Sequence, residues 1–263
     1  MRFTVNCSIL LTNLPVPQRA TAARAAGFDA AEFWWPFDTA LPADKEVDGF
    51  VRSVTDAGVT LSGLNFAAGD MAAGERGLLS DPRQSATFRE SIEIALAIGD
   101  RLGTTVFNAL YGNRRDDLDP DEQDATAVEN LAHAAERAGR QGAVVVLEPL
   151  SAIPAYPLRM AADALAVMDR VQVPALRLLA DLYHLTINGD DVAAVIDTHV
   201  GRIGHVQIAD APGRGAPGTG TIDLRGHLQR LTDAGYRGYV GLSITAAMIR
   251  SAGSNTAESV IQI

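Results

Sequence analysis

The sequence predicts a closed, eight-stranded parallel α/β barrel: a single (β/α)8 TIM barrel, with residues 1–263 as one domain. Three observations predict it. Eight short apolar runs alternate with stretches patterned like helices, which calls for a parallel sheet. A length of 263 residues is usual for one such barrel. Finally, three runs in the second half end on oxygen-bearing side chains: AVVVLE on Glu148, LRLLAD on Asp181 and RIGHVQ on Gln207. A buried parallel strand reads as a continuous apolar run, so a polar residue at its end sits where the sheet meets solvent. Such ends converge on one point only if the sheet closes, and its C-terminal rim is then the catalytic face.

Taken in order, the strand-like runs are FTVNC, AAEFWW, VTLSGLN, TTVFNAL, AVVVLE, LRLLAD, RIGHVQI and YVGLSI. Between them, PVPQRATAARAAG, SATFRESIEIALAIGDRLG and DEQDATAVENLAHAAERAGRQG carry apolar residues at three- and four-residue spacing and end near glycine, as helices do. A doubly wound open sheet also alternates in this way. No GxGxxG follows the first run, however, and no GxxxxGK[ST] occurs. Two long loops, residues 66–81 and 209–223, follow predicted strands and so belong to the catalytic rim, where glycine-rich segments can close over a small ligand.

Composition narrows the function. A net charge of −10 and a pI near 4.9 offer no basic field for nucleic acid or acidic lipid. Lys45, the sole lysine, lies in the polar stretch LPADKEVD, which argues against Schiff-base chemistry. Cys7 is the only cysteine, so an internal disulfide and a thiolate metal cage are excluded. With neither a cleavable leader pattern nor a run of membrane length, a cytoplasmic location is expected.

At the rim, two carboxylates and an amide oxygen form a hard-oxygen set suited to Mg²⁺ or Mn²⁺. Pro149 lacks an N–H and turns the chain out of the strand behind Glu148, which can then act as metal ligand and proton acceptor. His184 follows Asp181 by three residues, one helical turn, so both can face one cavity and the imidazole can meet a substrate oxygen. His205 shares the parity of Gln207 and reads as a core residue beneath the site. Arg214, in PGRGAPG, suits a substrate carboxylate or phosphate, within a loop too glycine-rich to fix its own conformation. Arg76, in AGERG, can do the same from the other loop, and Glu32 is a further rim candidate for substrate. Trp34, Trp35, Phe37 and Phe66 could supply an apolar wall.

The pieces FTVNCSIL, AGFDAAEFWWPFD, NFAAGDMAAGERG, VVLEPL, LLADLYHL, IGHVQIADAPGRGAPGTGTID and DAGYRGYVG, in this order, resemble the hydroxypyruvate isomerase family of the xylose-isomerase-like barrels. The resemblance runs from about residue 2 to residue 242. It implies Glu148, Asp181 and Gln207 as divalent-metal ligands, Glu148 also as proton-transfer group, and His184 and Arg214 as substrate contacts. The implied reaction interconverts hydroxypyruvate and 2-hydroxy-3-oxopropanoate through an enediolate, with a related sugar-acid isomerase or epimerase (2-oxo-tetronate type) and a non-catalytic binding barrel as alternatives. The partner is a small 2-oxo or 2-hydroxy acid, with neither nucleic acid nor membrane involved.

The departures cluster near the end. The family's last strand delivers Glu-Tyr as fourth ligand and second acid–base residue; here Ser243 and Ile244 stand there, leaving the fourth-ligand position without a carboxylate. Gly213, Ala216 and Thr221 replace a usual His, Glu and Glu. Codons AGY-ATH for Ser-Ile, preceded by G, read Glu-Tyr or Glu-His in the neighbouring frame, so a one-base deletion near codon 243 would produce this ending. The tail also implies an atypical or shortened last helix, and pairing with a second copy would cover the barrel wall it leaves bare.

Overall fold

In the computed structural model, residues 1–245 are described. The strands are β1 (Arg2–Asn6), β2 (Ala30–Phe33), β3 (Thr60–Asn65), β4 (Val106–Ala109), β5 (Val144–Leu147), β6 (Leu176–Asp181), β7 (Ile203–Ile208) and β8 (Tyr239–Leu242). They pair in chain order, all parallel, and β8 pairs with β1 to close the barrel. Each of the eight apolar runs thus forms a strand. AAEFWW ends its strand early, at Phe33, which leaves Trp34 and Trp35 in the following loop. The expectation about the last helix falls on residues 246–263, outside the described residues.

Helices α1 (Cys7–Leu10), α2 (Val16–Ala25), α3 (Asp44–Ala57), α4 (Ser85–Leu102), α5 (Pro120–Gly139), α6 (Ala161–Val171), α7 (Leu182–Asn188), α8 (Val192–His199) and α9 (Leu224–Asp233) form the connections. Their ends follow from local chemistry. Asp119 caps α5, accepting from the Asp121 N–H, and Pro120 opens the helix where no donor is needed. Gly103 stops α4 with φ +71°, a left-handed conformation that glycine adopts without steric cost. The core between sheet and helices is aromatic near β3 and β4. Phe66 stacks on Phe107 with centroids 5.6 Å apart, and Phe88 of α4 meets Phe66 edge-on at 6.0 Å.

The barrel lumen is polar toward the C-terminal rim. Thr4 and Ser62 share a hydrogen bond of 2.6 Å, and Ser62 also donates to the Ala31 carbonyl. Nearer the rim lies the Glu32 carboxylate. Its Oε1 accepts from Asn6 Nδ2 at 3.2 Å and from Gln207 Nε2 at 2.6 Å, while Oε2 lies 2.6 Å from His205 Nε2. Since β8 and β1 separate β7 from β2, these bonds cross the lumen. They have room because Gly241 of β8 carries no side chain; a Cβ there would come 2.6 Å from Glu32 Oε1. His205 is therefore the core histidine that its parity predicts. Glu32, a rim candidate from the sequence, is the penultimate residue of β2 as Gln207 is of β7, and is 3% exposed with its carboxylate turned into the barrel. The reason is register: β2 continues past it to Phe33, and its pairing with Asn6 turns the carboxylate inward.

Gly241→Ala should force a methyl group against this carboxylate. Overpacking of this kind typically costs about 1–3 kcal/mol. Urea unfolding should show a lowered midpoint, and an unchanged midpoint would mean that Glu32 can move aside freely.

Candidate active site

Four consecutive strands bring the candidate residues to one end of the barrel. Glu148 directly follows β5, Asp181 ends β6, Gln207 is the penultimate residue of β7, and Ser243 directly follows β8. Asp181 and Gln207 are register partners, as are Gln207 and Gly241. Parallel strands that end at one level make such a cluster, which no single local segment could build.

Asp181 is fully buried. Its Oδ1 caps α7, accepting from the backbone N–H groups of Tyr183 at 3.0 Å and His184 at 3.4 Å. Its Oδ2 accepts from Arg214 Nη2 at 2.8 Å. The short helix that Asp181 caps also aims His184 back at the carboxylate, with Nε2 3.8 Å from Oδ2. Glu148 is held by Asn108 of β4, whose Nδ2 donates to Oε2 at 2.7 Å, while the Asn108 side-chain oxygen Oδ1 is buried without a partner among the described residues. Burial raises the Glu148 carboxyl well above its ordinary value, and the neighbouring Asp181 charge adds to the rise. A carboxyl tuned upward in this way can hold a proton near neutral pH and exchange it with a ligand.

His184 responds in the opposite sense. Burial pushes its imidazole down to about 4, so the ring is uncharged at neutral pH. Arg214 Nη1 lies 3.0 Å from Nε2. A guanidinium only donates, so a bond there needs Nε2 bare and the ring proton on Nδ1, which lies 2.7 Å from the Ser151 hydroxyl. That tautomer leaves the Ser151 N–H, 3.0 Å from the same nitrogen, without an acceptor there. The pocket therefore cannot satisfy every donor while the guanidinium faces the ring.

Arg214 itself is aimed by strain and by a staple. Its own φ is +57°, uncommon for a side chain of this size. The glycine-rich loop, expected to be unable to fix its own conformation, is fixed by Asp210. That buried carboxylate accepts from the backbone N–H groups of Ala211 and Ile222 on Oδ1, and of Gly218 and Gly220 on Oδ2. Asp210 and Gly215 also exchange a pair of backbone bonds at 2.9 Å. Four amide donors on one carboxylate make the loop a preorganised arm.

The structure thus brings together Glu148, Asp181, His184, Arg214 and Ser243, with Gln207 in register beside Asp181. Glu148, Asp181 and His184 each offer a ligand atom, all within 4.8 Å of one another, and so could hold a metal ion. Gln207 spends its amide N–H on Glu32, which leaves its carbonyl oxygen as the donor available to a cation. The donor chemistry fits a hard divalent ion. Arg76 is not part of this group: its guanidinium donates to the Met71 and Glu75 carbonyls in its own loop and lines a separate cleft with Asp81, Arg83 and Arg115. Trp34, Trp35 and Phe37 line another cleft, of about 580 Å³, with Met71 and Leu78. Sequence reasoning missed Asn108, Ser151 and Asp210. Asp210 carries a legible signal, a polar residue just past the end of an apolar run, and Asn108 a weaker one, a polar residue interrupting such a run; Ser151 carries none.

Residues 20–260 match the family model described as a xylose isomerase-like TIM barrel. The chain belongs to this family. Among its relatives, a Streptomyces coelicolor protein named "Putative hydroxypyruvate isomerase" is 50% identical over 92% of this chain and 89% of its own length. The Escherichia coli hydroxypyruvate isomerase is 31% identical, over 92% of each chain. The 2-oxo-tetronate isomerase of Cupriavidus necator is 34% identical over 96% of this chain and 95% of its own. A crystal structure of a Brucella melitensis protein described as AP endonuclease, family 2, superposes with a TM-score of 0.84 at 30% identity, over 94% of this chain and 96% of that one. This member of the xylose isomerase-like barrels thus has relatives named as hydroxypyruvate isomerases and as a 2-oxo-tetronate isomerase.

Glu148→Gln should change how stability depends on pH in chelator-treated protein. A carboxyl raised on folding lends stability that is fully present below its ordinary value of 4.5 and is lost as pH rises through the raised value. The loss can reach about 1.4 kcal/mol per pH unit within that window. Gln cannot ionise, so the variant should gain on wild type from pH 5 to pH 9 in thermal melts. Parallel curves would show that burial does not perturb this carboxyl.

Proposed function

We propose that this chain interconverts hydroxypyruvate and 2-hydroxy-3-oxopropanoate, with a divalent cation, Mg²⁺ or Mn²⁺, held by Glu148, Asp181 and Gln207. The observation that carries the reading is the buried Glu148–Asp181–His184 cluster at the C-terminal end of the barrel, whose ligand atoms lie within 4.8 Å of one another. When bound, the cation would polarise the substrate's carbonyl and hydroxyl oxygens.

The reaction moves a proton between adjacent carbons. Glu148 takes it from C3 of hydroxypyruvate and returns it to C2, while the hydroxyl proton on O3 passes to O2. Asn108 holds the other face of this carboxyl at 2.7 Å, so the group is oriented as well as tuned. Neutral His184 hydrogen-bonds a substrate oxygen, and Arg214 grips the substrate carboxylate in two-point fashion. Ser243 is fully buried where a second acid–base carboxylate would act, and its hydroxyl cannot take a carbon-bound proton. Glu148 then works alone, and turnover is slow.

Ser243 also favours a second reading, a barrel that binds a small acid without converting it. The C. necator relative keeps a 2-oxo-tetronate substrate in view as well. A nuclease reading lacks support in the net charge of −10, which repels a polyanion.

A coupled assay with Mg²⁺ or Mn²⁺ tests the proposal on hydroxypyruvate and 2-oxo-tetronate. Slow conversion of hydroxypyruvate is expected, abolished in Asp181→Asn. Ser243→Glu should raise kcat by about 10² to 10⁴, the usual contribution of one acid–base group. If Ser243→Glu turns over no faster, the missing carboxylate is not what limits this chain; if neither protein turns over, the binding reading takes its place.

A further inference from the structure

We infer that Arg214 is an internal competitor for the cation seat: with Ser243 just past the last strand, its guanidinium docks onto the ligand Asp181 and must withdraw before a divalent ion can bind. This rests on the metal reading above and adds a gate to it. All three guanidinium nitrogens are engaged at the cluster. Nη2 donates to Asp181 Oδ2 at 2.8 Å and to Ser243 Oγ at 2.5 Å, Nη1 faces His184 Nε2 at 3.0 Å, and Nε donates to the Ser243 carbonyl at 2.6 Å. Lone pairs from β6, α7 and the end of β8 therefore converge on the Asp181 side of the seat, and the group they hold there is a fixed positive charge.

Three observations support competition rather than mere proximity. First, Asp181 is already engaged on both oxygens: Oδ1 accepts two amide bonds in capping α7, and one lone pair of Oδ2 holds Arg214. A cation that uses Oδ2 has to displace or share with a guanidinium of like sign. Second, docking exacts a cost. It selects the His184 tautomer that leaves the Ser151 N–H unaccepted at Nδ1. Third, Ser243 makes the docking possible, because it offers two oxygens to the guanidinium and has neither the length nor the charge to reach a cation as a carboxylate would.

The Asp210 staple defines what moves. The loop backbone around Arg214 is pinned by four amide bonds to Asp210, so the withdrawal belongs to the side chain. The side chain is 19% exposed and lies over the Tyr183 ring, 5.4 Å from its centroid. Once withdrawn, the guanidinium is free to take the carboxylate of an incoming substrate, so metal and acid should bind cooperatively.

Calorimetric titration of the chelator-treated full chain with Mn²⁺ tests the inference, with the free-ion electron paramagnetic resonance signal as a second readout. Arg214→Gln removes the competing charge and should tighten Mn²⁺ binding by about tenfold or more, the scale of a charge-assisted bond to a buried carboxylate. Arg214→Lys keeps a charge but cannot span Asp181 and both Ser243 oxygens, so its Kd should fall between the two. Circular dichroism establishes that both variants are folded. Equal Kd values for wild type and Arg214→Gln would overturn the gate while leaving the metal reading intact. Absence of Mn²⁺ binding in wild type and both variants would overturn the gate and the metal reading together.

Discussion

A carboxylate sealed from water must be met by positive charge or by donors, and Asp181 is sealed completely. Much of this site can be understood as the answer to that requirement. The N-terminus of α7 supplies two amide donors to one oxygen, and Arg214 supplies a guanidinium to the other. The short helix exists in this orientation because Asp181 caps it, and it in turn carries His184 into the pocket. Chemistry and local folding are coupled through one side chain at the junction of β6 and α7.

Behind the rim, the lumen is organised by a second buried carboxylate. Glu32 accepts from Asn6 and Gln207 and faces His205, so residues of β1, β2 and β7 are tied across the barrel. A carboxylate with only accepting oxygens selects the amide end of Gln207 and leaves the carbonyl end for a ligand. The glycine opposite, Gly241, is what gives this arrangement its space. Glu32 thus supports the site from beneath, and its inward direction follows from strand register rather than from any feature of its own segment.

The departure at Ser243 sits where a family member is expected to present a carboxylate, and the structure has not left that corner empty of charge. Arg214 donates to it from Nε and Nη2 while also bonding Asp181. The net balance of the pocket is therefore altered in two ways at once: one anion fewer on β8, and one cation engaged among the remaining donors.

Sequence alone determined the eight-strand barrel and the chain order of its rim residues, because a buried parallel strand must be apolar and its polar last residue must mark the edge. It also determined that Asp181 and His184 share a face, because a helical turn has a fixed length. Tertiary structure decided the rest. That Glu32 points into the lumen depends on pairing with Asn6, that Arg76 turns back on its own loop depends on Met71 and Glu75, and that the glycine-rich loop is rigid depends on Asp210 finding four amides. Above all, the meeting of Arg214 with Asp181 and Ser243 joins residues about thirty positions apart. Contacts of that kind arise from closure of the barrel, and no local pattern in a polypeptide encodes the distance between two strand ends that only closure brings together.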